Sequence, residues 1–248
     1  MLELNTQLIG KKIIYFKKID STNEYAKRIA AHEEEGTIIV ADVQETGYGR
    51  KFRTWTSPQG GLWMSVILKP NTTPEHMIKL VFLGALAVVE TLERLGIEGK
   101  IKWPNDVLVN EKKICGILVE GNFSEKEVYY IVLGIGINVN NPLPQELVST
   151  STSLREVLGV EIPIIEVFKI LVERLEHWYR EFLAEKDTLI LQKWRENAIL
   201  RREVKIITED KTLTGKALDI DEFGALILEH EDGKREKILY GDVSLRFE

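Results

Sequence analysis

Read as a sequence of 248 residues, the chain predicts an α/β (α+β) fold: a central mixed β-sheet flanked by helices, followed by a small C-terminal β-barrel. Three patterns carry this. Up to residue 137, β-rich alternating runs are interleaved with helix-spaced apolar stretches. Helical periodicity then holds over residues 165–183 and again from Asp187 to about Asn197. From Arg202 the pattern becomes short strands, 204–208, 213–219, 226–230, 235–239 and 243–247, separated by turns containing Gly or Asp. The expected division is a large unit over 1–200 and a barrel over 201–248.

Each element has its own signal. Residues 12–16 alternate as a strand, and Ser21 and Glu24 have capping-box spacing ahead of a helix to about Ala31. Residues 36–43 are β-rich, 44–59 are dominated by turn and charged residues, and 62–68 form another strand, so a long basic loop joins two strands. Dense helix-spaced apolar residues fill 75–95, and Gly96 falls where a C-cap glycine belongs. Strands follow at 100–103, 106–109 and 113–120, with 110–112 as a tight turn, and then at 128–137.

Composition narrows the function. With 44% hydrophobic residues the chain can build a real core. The apolar run 80–89 is too short to span a bilayer, and the first twenty residues carry charges where a signal peptide needs apolar ones, which predicts a cytoplasmic protein. A net charge of −6 argues against a whole-surface nucleic-acid binder. The single cysteine, Cys115, sits in an apolar run and reads as a small core residue. The four histidines are dispersed, without the spacing of a zinc site.

Two segments concentrate chemistry. Gly47-Tyr48-Gly49-Arg50-Lys51-Phe52-Arg53-Thr54-Trp55 sets three cations beside two glycines, so its backbone can curl round a ligand while guanidinium groups meet phosphate oxygens. A solvated basic hairpin would look the same. A P-loop motif is absent, and Phe52 stands at the last glycine position of a G-x-G-x-x-G. Gly134-Ile135-Gly136-Ile137-Asn138 ends a strand but does not enter a helix, which removes the dinucleotide reading there. The second segment, Lys102-Trp103-Pro104-Asn105-Asp106, packs a cation, an aromatic face, a rigid turn and a carboxylate together. A hairpin through 110–112 would return Lys113 to the same end of the sheet.

These segments belong to an ordered series: Asp20-Ser21-Thr22-Asn23, Gln44 with 47–55, Ser57-Pro58-Gln59-Gly60-Gly61-Leu62, 102–106, Lys113-Ile114-Cys115-Gly116-Ile117-Leu118-Val119-Glu120, 134–138, Thr152-Ser153-Leu154 and 241–246. Over nearly the whole chain the series resembles biotin protein ligases. The resemblance implies an ATP-dependent ligase that makes biotinyl-5′-AMP, releases pyrophosphate and transfers biotin to a lysine of a biotin carboxyl carrier protein. It implies an SH3-like character for the barrel, Mg²⁺ carried with ATP and not by a protein ligand set, and a homodimer.

By the same resemblance, Arg50, Lys113, Asp106 and Lys102 form the reaction centre, with Asp106 as candidate base. Ser21, Thr22, Asn23, Gln44, Gly47, Tyr48, Gly49, Arg50, Trp103, Lys113 and Gly116 take biotin. Arg50, Arg53, Trp55, Lys102, Asn105, Asn138 and Arg246 take the nucleotide. The family loop commonly reads Gly-Arg-Gly-Arg-Arg-Gly-Arg, whereas this chain has Tyr48 for the first arginine and Phe52 for the third glycine. Only about ten residues precede the first strand, so the resemblance is to the short type without an N-terminal helix-turn-helix, and no DNA-binding role is expected. The alternatives are a lipoate or octanoate ligase and a non-catalytic biotin or nucleotide sensor.

Overall fold

The computed structural model describes residues 3–124, 127–208, 211–239 and 241–245. Seven strands form the main sheet: β1 (Ile13–Phe16), β2 (Ile38–Ala41), β3 (Leu62–Leu68), β4 (Lys100–Lys102), β5 (Asp106–Val109), β6 (Lys112–Phe123) and β7 (Val128–Ile137). Their order is β1-β2-β3-β7-β6-β5-β4, with β1 and β2 parallel and every other pair antiparallel. The sheet is therefore mixed, as its pattern predicts.

Because side chains alternate along a strand, the two faces have different fates. One face carries Met64, Val66, Ile117, Leu133 and Ile135 into the main core, under helices α2 (Met77–Arg94), α4 (Ile164–Leu183) and α5 (Asp187–Asn197). Helix α2 is apolar nearly all round, which fits a helix packed against the sheet and against α4 and α5. On the other face, Ala26 and Ala30, within and just after helix α1 (Thr22–Ile29), pack on Ile39, Ile67 and Val132. Helix α1 covers only one end of that face.

A second, antiparallel sheet is built from β8 (Arg202–Ile207), β9 (Thr212–Ile220), β10 (Leu226–Glu229), β11 (Arg235–Ile238) and β12 (Asp242–Leu245), in the order β11-β10-β9-β8-β12. Its inward residues Val204, Ile206, Ile220, Leu226 and Leu228 join the same buried cluster as α2 and α5. Arg195 of α5 ties the two together by donating to Asp219 Oδ1 at 2.7 Å and to the Ile220 carbonyl at 2.8 Å.

The departures from expectation are local. Helix α1 ends at Ile29, two residues early, and β6 runs on to Phe123. The Ser/Thr-rich stretch hides a short helix, α3 (Leu154–Leu158), whose N-cap Ser153 accepts from the Glu156 N–H. Only half of the expected capping box forms on α1: Ser21 Oγ accepts from the Glu24 N–H at 3.4 Å, but the Ser21 N–H goes to Asp20 Oδ1. The Glu24 carboxylate is drawn elsewhere.

One buried charge anchors the start of the chain. Glu176 of α4, 6% exposed, accepts from the backbone N–H groups of Gln7, Leu8 and Ile9 at 2.8–3.0 Å. Burial pushes its carboxyl up, but those three N–H groups and Arg180 outweigh this and hold it below the ordinary glutamate value. A depressed pKa stabilises the fold above the unfolded value, and the stability is lost as pH falls through the folded one. Glu176→Gln should therefore cost about 2–3 kcal/mol at pH 7. In urea denaturation, the gap between the two proteins should close as the pH is lowered below the ordinary glutamate range.

Candidate active site

The face that α1 leaves uncovered holds a cleft of about 730 Å³. Strand register explains why the space exists. Trp63, Gly136, Gly116 and Asp106 are consecutive cross-strand partners over β3, β7, β6 and β5, and Ser65 and Gly134 pair in the next row of the same face. Three of these positions have no side chain, so the sheet floor is backbone. What comes down on it is close: a Cβ at Gly134 would lie 2.2 Å from Asn23 Oδ1, and one at Gly136 would lie 2.5 Å from Trp55 Nε1. A Cβ at Gly116 would meet the Trp55 ring at 3.1 Å.

Asp106 closes the row. It lies opposite Lys102 in the β4–β5 hairpin, where the Trp103–Pro104 peptide is cis. Its Oδ2 lies 3.0 Å from Lys102 Nζ, and its Oδ1 lies 2.6 Å from Lys113 Nζ. Lys113 also sits over the Trp55 ring, 4.9 Å from the centroid. Burial acts to raise the Asp106 carboxyl, yet the two ammonium groups prevail and hold it below the usual carboxylate range. Both of its oxygens are engaged, so Asp106 holds two cations in place at this end of the cleft.

The hairpin of 110–112 returns Lys113 as expected, with Asn110 and Glu111 at φ of 49° and 64°, the left-handed conformation of a tight hairpin turn. Cys115 is fully buried behind the floor, and burial pushes its thiol upward, so it stays inert.

The polar wall comes from the start of α1. Ser21, Thr22 and Asn23 are all buried. Gln44 Oε1 accepts from the Thr22 N–H at 2.8 Å, and Gln44 Nε2 donates to Ser57 Oγ at 2.8 Å. Ser57 Oγ in turn donates to the Trp55 carbonyl. Ser65 Oγ lies 2.7 Å from Thr22 Oγ1 and 2.5 Å from Asn23 Oδ1. Gly47 packs so tightly on Ser57 Oγ and the Trp55 carbonyl, 2.6 Å from an added Cβ, that a side chain there would break this corner.

The basic loop crosses the cleft. Residues 50–53 make one tight turn, closed by the Arg53 N–H on the Arg50 carbonyl at 3.2 Å, with Lys51 at a φ of 54°. Arg50 Nη1 lies 3.3 Å from Asn105 Oδ1 and 3.2 Å from the Gly241 carbonyl, so it bridges the loop, the β4–β5 hairpin and the second sheet. Phe52 takes a φ of 54° and is exposed. Trp55 Nε1 is buried without a hydrogen-bond partner among the described residues.

Placed against expectation, Ser21, Thr22, Asn23, Gln44, Tyr48, Gly49, Arg50, Arg53, Trp55, Lys102, Trp103, Asn105, Asp106, Lys113, Gly116 and Asn138 all line the one cleft. Some have other work too. Trp103 Nε1 donates to the Gly224 carbonyl in the turn between β9 and β10, and Asn138 donates to the Thr152 carbonyl. Arg246 lies outside the described residues. The sequence pattern gave no role to Ser65, Lys27 or Glu120, and marked Glu24 only as half of a capping box. Of the first three, only Glu120 had a signal, as the last residue of the motif that begins at Lys113.

A deep cleft with a backbone floor, a buried polar end and a cationic end defines a site for a small polar molecule beside an anion. Residues 15–138 match the profile of the biotin/lipoate A/B protein ligase family, and residues 200–246 match that of the biotin protein ligase C terminal domain. The chain belongs to this family. Bifunctional ligase/repressor BirA of Bacillus subtilis is 39% identical over 98% of this chain and 76% of its own length. The "Biotin--[acetyl-CoA-carboxylase] ligase" of Paracoccus denitrificans is 30% identical over 88% and 94%. The solved biotin protein ligase of Aquifex aeolicus in complex with biotin and ATP is 34% identical, with a TM-score of 0.83 over 95% of this chain and 99% of that one.

The floor makes a direct test. Asn23 is held by a hydrogen-bond network and cannot retreat, whereas the Trp55 ring and the Lys113 stem can give by a few tenths of an ångström. Gly134→Ala should cost about 2 kcal/mol, roughly 4–8 °C in melting temperature. Gly116→Ala should shift it much less. Differential scanning fluorimetry measures both.

Proposed function

We propose that this chain is an ATP-dependent biotin protein ligase that forms biotinyl-5′-AMP and transfers biotin to a lysine of a biotin carboxyl carrier protein. The observation that carries the reading is the placement of Lys102, Asp106 and Lys113 at one end of a cleft whose other end is buried and polar. The proposed division of labour is 1–200 for chemistry and 201–248 for a covering barrel.

In the first step a biotin carboxylate oxygen attacks the α-phosphorus of ATP, a P–O bond forms, and the bond to pyrophosphate breaks. Two anions must meet, so fixed cations supply the main stabilisation. Lys113 and Lys102 are oriented before the substrates arrive because Asp106 already holds them; Arg50 and Arg53 add charge from the loop. The buried hydroxyl and amide groups of Ser21, Thr22, Asn23 and Gln44 suit a ureido head, which both donates and accepts. Trp55 offers an unpaired buried N–H and a flat ring to the adenylate. Mg²⁺ would arrive with the nucleotide and shield its phosphates.

In the second step the carrier amine attacks the acyl carbon, AMP leaves, and the amine loses a proton. A free lysine has a pKa near 10.4, so it needs a proton acceptor. Both oxygens of Asp106 are engaged by ammonium groups, and the leaving phosphate or water is the acceptor we favour. A homodimer in the cytoplasm completes the proposal, and no helix among the described residues is long and apolar enough to cross a membrane.

Transfer of labelled biotin to a carrier domain, with ATP and Mg²⁺, tests the reading; no transfer with biotin, or equal transfer with lipoate, would refute it. Lys113→Ala should lower biotin-dependent pyrophosphate exchange by about 10²–10³-fold while ATP binding weakens much less. Asp106→Asn should slow adenylate formation and transfer alike, since it loosens both lysines. A transfer-only defect would assign the base role to Asp106.

A further inference from the structure

Tyr48 lies between the two loop glycines, with its hydroxyl set in a cluster of charged side chains. Its hydroxyl lies 2.6 Å from Glu24 Oε1 on α1 and 2.8 Å from Glu120 Oε2 on β6, and it accepts from Lys27 Nζ at 3.0 Å. Lys27 completes the cluster, 2.7 Å from Glu24 Oε1 and 2.9 Å from Glu120 Oε1. The loop is therefore tied at its root to two elements of the rigid core.

The tie continues along the polar wall. Glu120 Oε2, which faces Tyr48, also accepts from Asn23 Nδ2 at 2.9 Å. Asn23 meets Ser65, Ser65 meets Thr22, Thr22 donates to Gln44, and Gln44 reaches Ser57. Ser57 closes the circuit on the Trp55 carbonyl, at the far end of the same loop. A belt of hydrogen bonds thus starts at one end of the basic loop, runs along the polar wall of the cleft, and returns to the other end.

We propose that Tyr48 is a positioning residue that latches the basic loop to Glu24, Lys27 and Glu120, so that the loop stays over the cleft while the activated acid waits for its acceptor. The proposal rests on the reading of the site as a biotin-activating one. A mixed anhydride that escapes into water is lost, so a loop fixed at both ends raises the fraction of activated acid that is transferred. An arginine at position 48 would bring a second charge instead of a neutral hydroxyl between two carboxylates and an ammonium. The cluster persists across the working range: burial and the two carboxylates push the Tyr48 hydroxyl upward, and Lys27 and Tyr48 hold the Glu24 carboxyl below its ordinary value.

The latch predicts uncoupling and not mere inactivity. The readout is the ratio of pyrophosphate released to biotin transferred, with biotin, ATP, Mg²⁺ and a carrier domain. Removing a hydrogen bond to a charged group should raise this ratio about tenfold in Tyr48→Phe. Glu24→Ala, which lies on α1 and leaves the loop sequence intact, should raise it in the same direction even if Tyr48→Phe folds poorly. A variant whose melting temperature falls while its ratio stays within about twofold of wild type overturns the latch. Wild-type protein without biotin-dependent pyrophosphate release overturns the latch together with the functional reading.

Discussion

A β-sheet face can hold a cleft only where its side chains are missing, and that constraint organises this molecule. Period-two alternation sends one set of residues from β3, β6 and β7 into the core beneath α2 and α4 and the other set upward. On the upper face α1 covers Ile39, Ile67 and Val132, and beyond it the floor is Gly134, Gly136 and Gly116. Asn23 and Trp55 then descend onto bare backbone. Everything chemical stands at the edges of that floor.

The two ends of the cleft are stabilised differently. At one end a buried carboxylate carries two ammonium groups, an arrangement costly to bury and worthwhile only if the geometry is good. Asp106 meets that condition with one oxygen for each lysine. At the other end neutral groups satisfy one another in sequence from Asn23 to Ser57, so each is held by its neighbour and none is free to wander. The basic loop is attached to both ends: Arg50 reaches Asn105 and the second sheet, while Tyr48 reaches Glu120. Preorganisation of this kind is what charge stabilisation in a reaction requires.

Much of this was legible in the sequence, for physical reasons. The sheet strands and the long helices show periodicity, and the 110–112 turn and Gly96 show their local conformations; most of the residues singled out by motif order share one cleft. Where legibility failed, the cause was long-range partnership. Glu24 reads as the second half of a capping box, and nothing local says that Tyr48 and Lys27 will claim its carboxylate. Glu176 sits in a helical pattern as an ordinary charge, and its three backbone donors lie far away in the chain. Asp106 stands in its motif beside Lys102, and nothing local says that Lys102 and Lys113 will each take one of its oxygens. Ser65 alternates correctly in its strand yet gives no hint that it joins Thr22 to Asn23.

The central claim is that the cleft activates biotin as its adenylate. Mass spectrometry of the protein after incubation with ATP, Mg²⁺ and equal amounts of biotin and lipoate, without any acceptor, tests this directly. Bound biotinyl-5′-AMP, up to one per chain, with little lipoyl adenylate, is the expected result. Binding of biotin and ATP without any adenylate, or lipoyl adenylate in comparable amount, would contradict it.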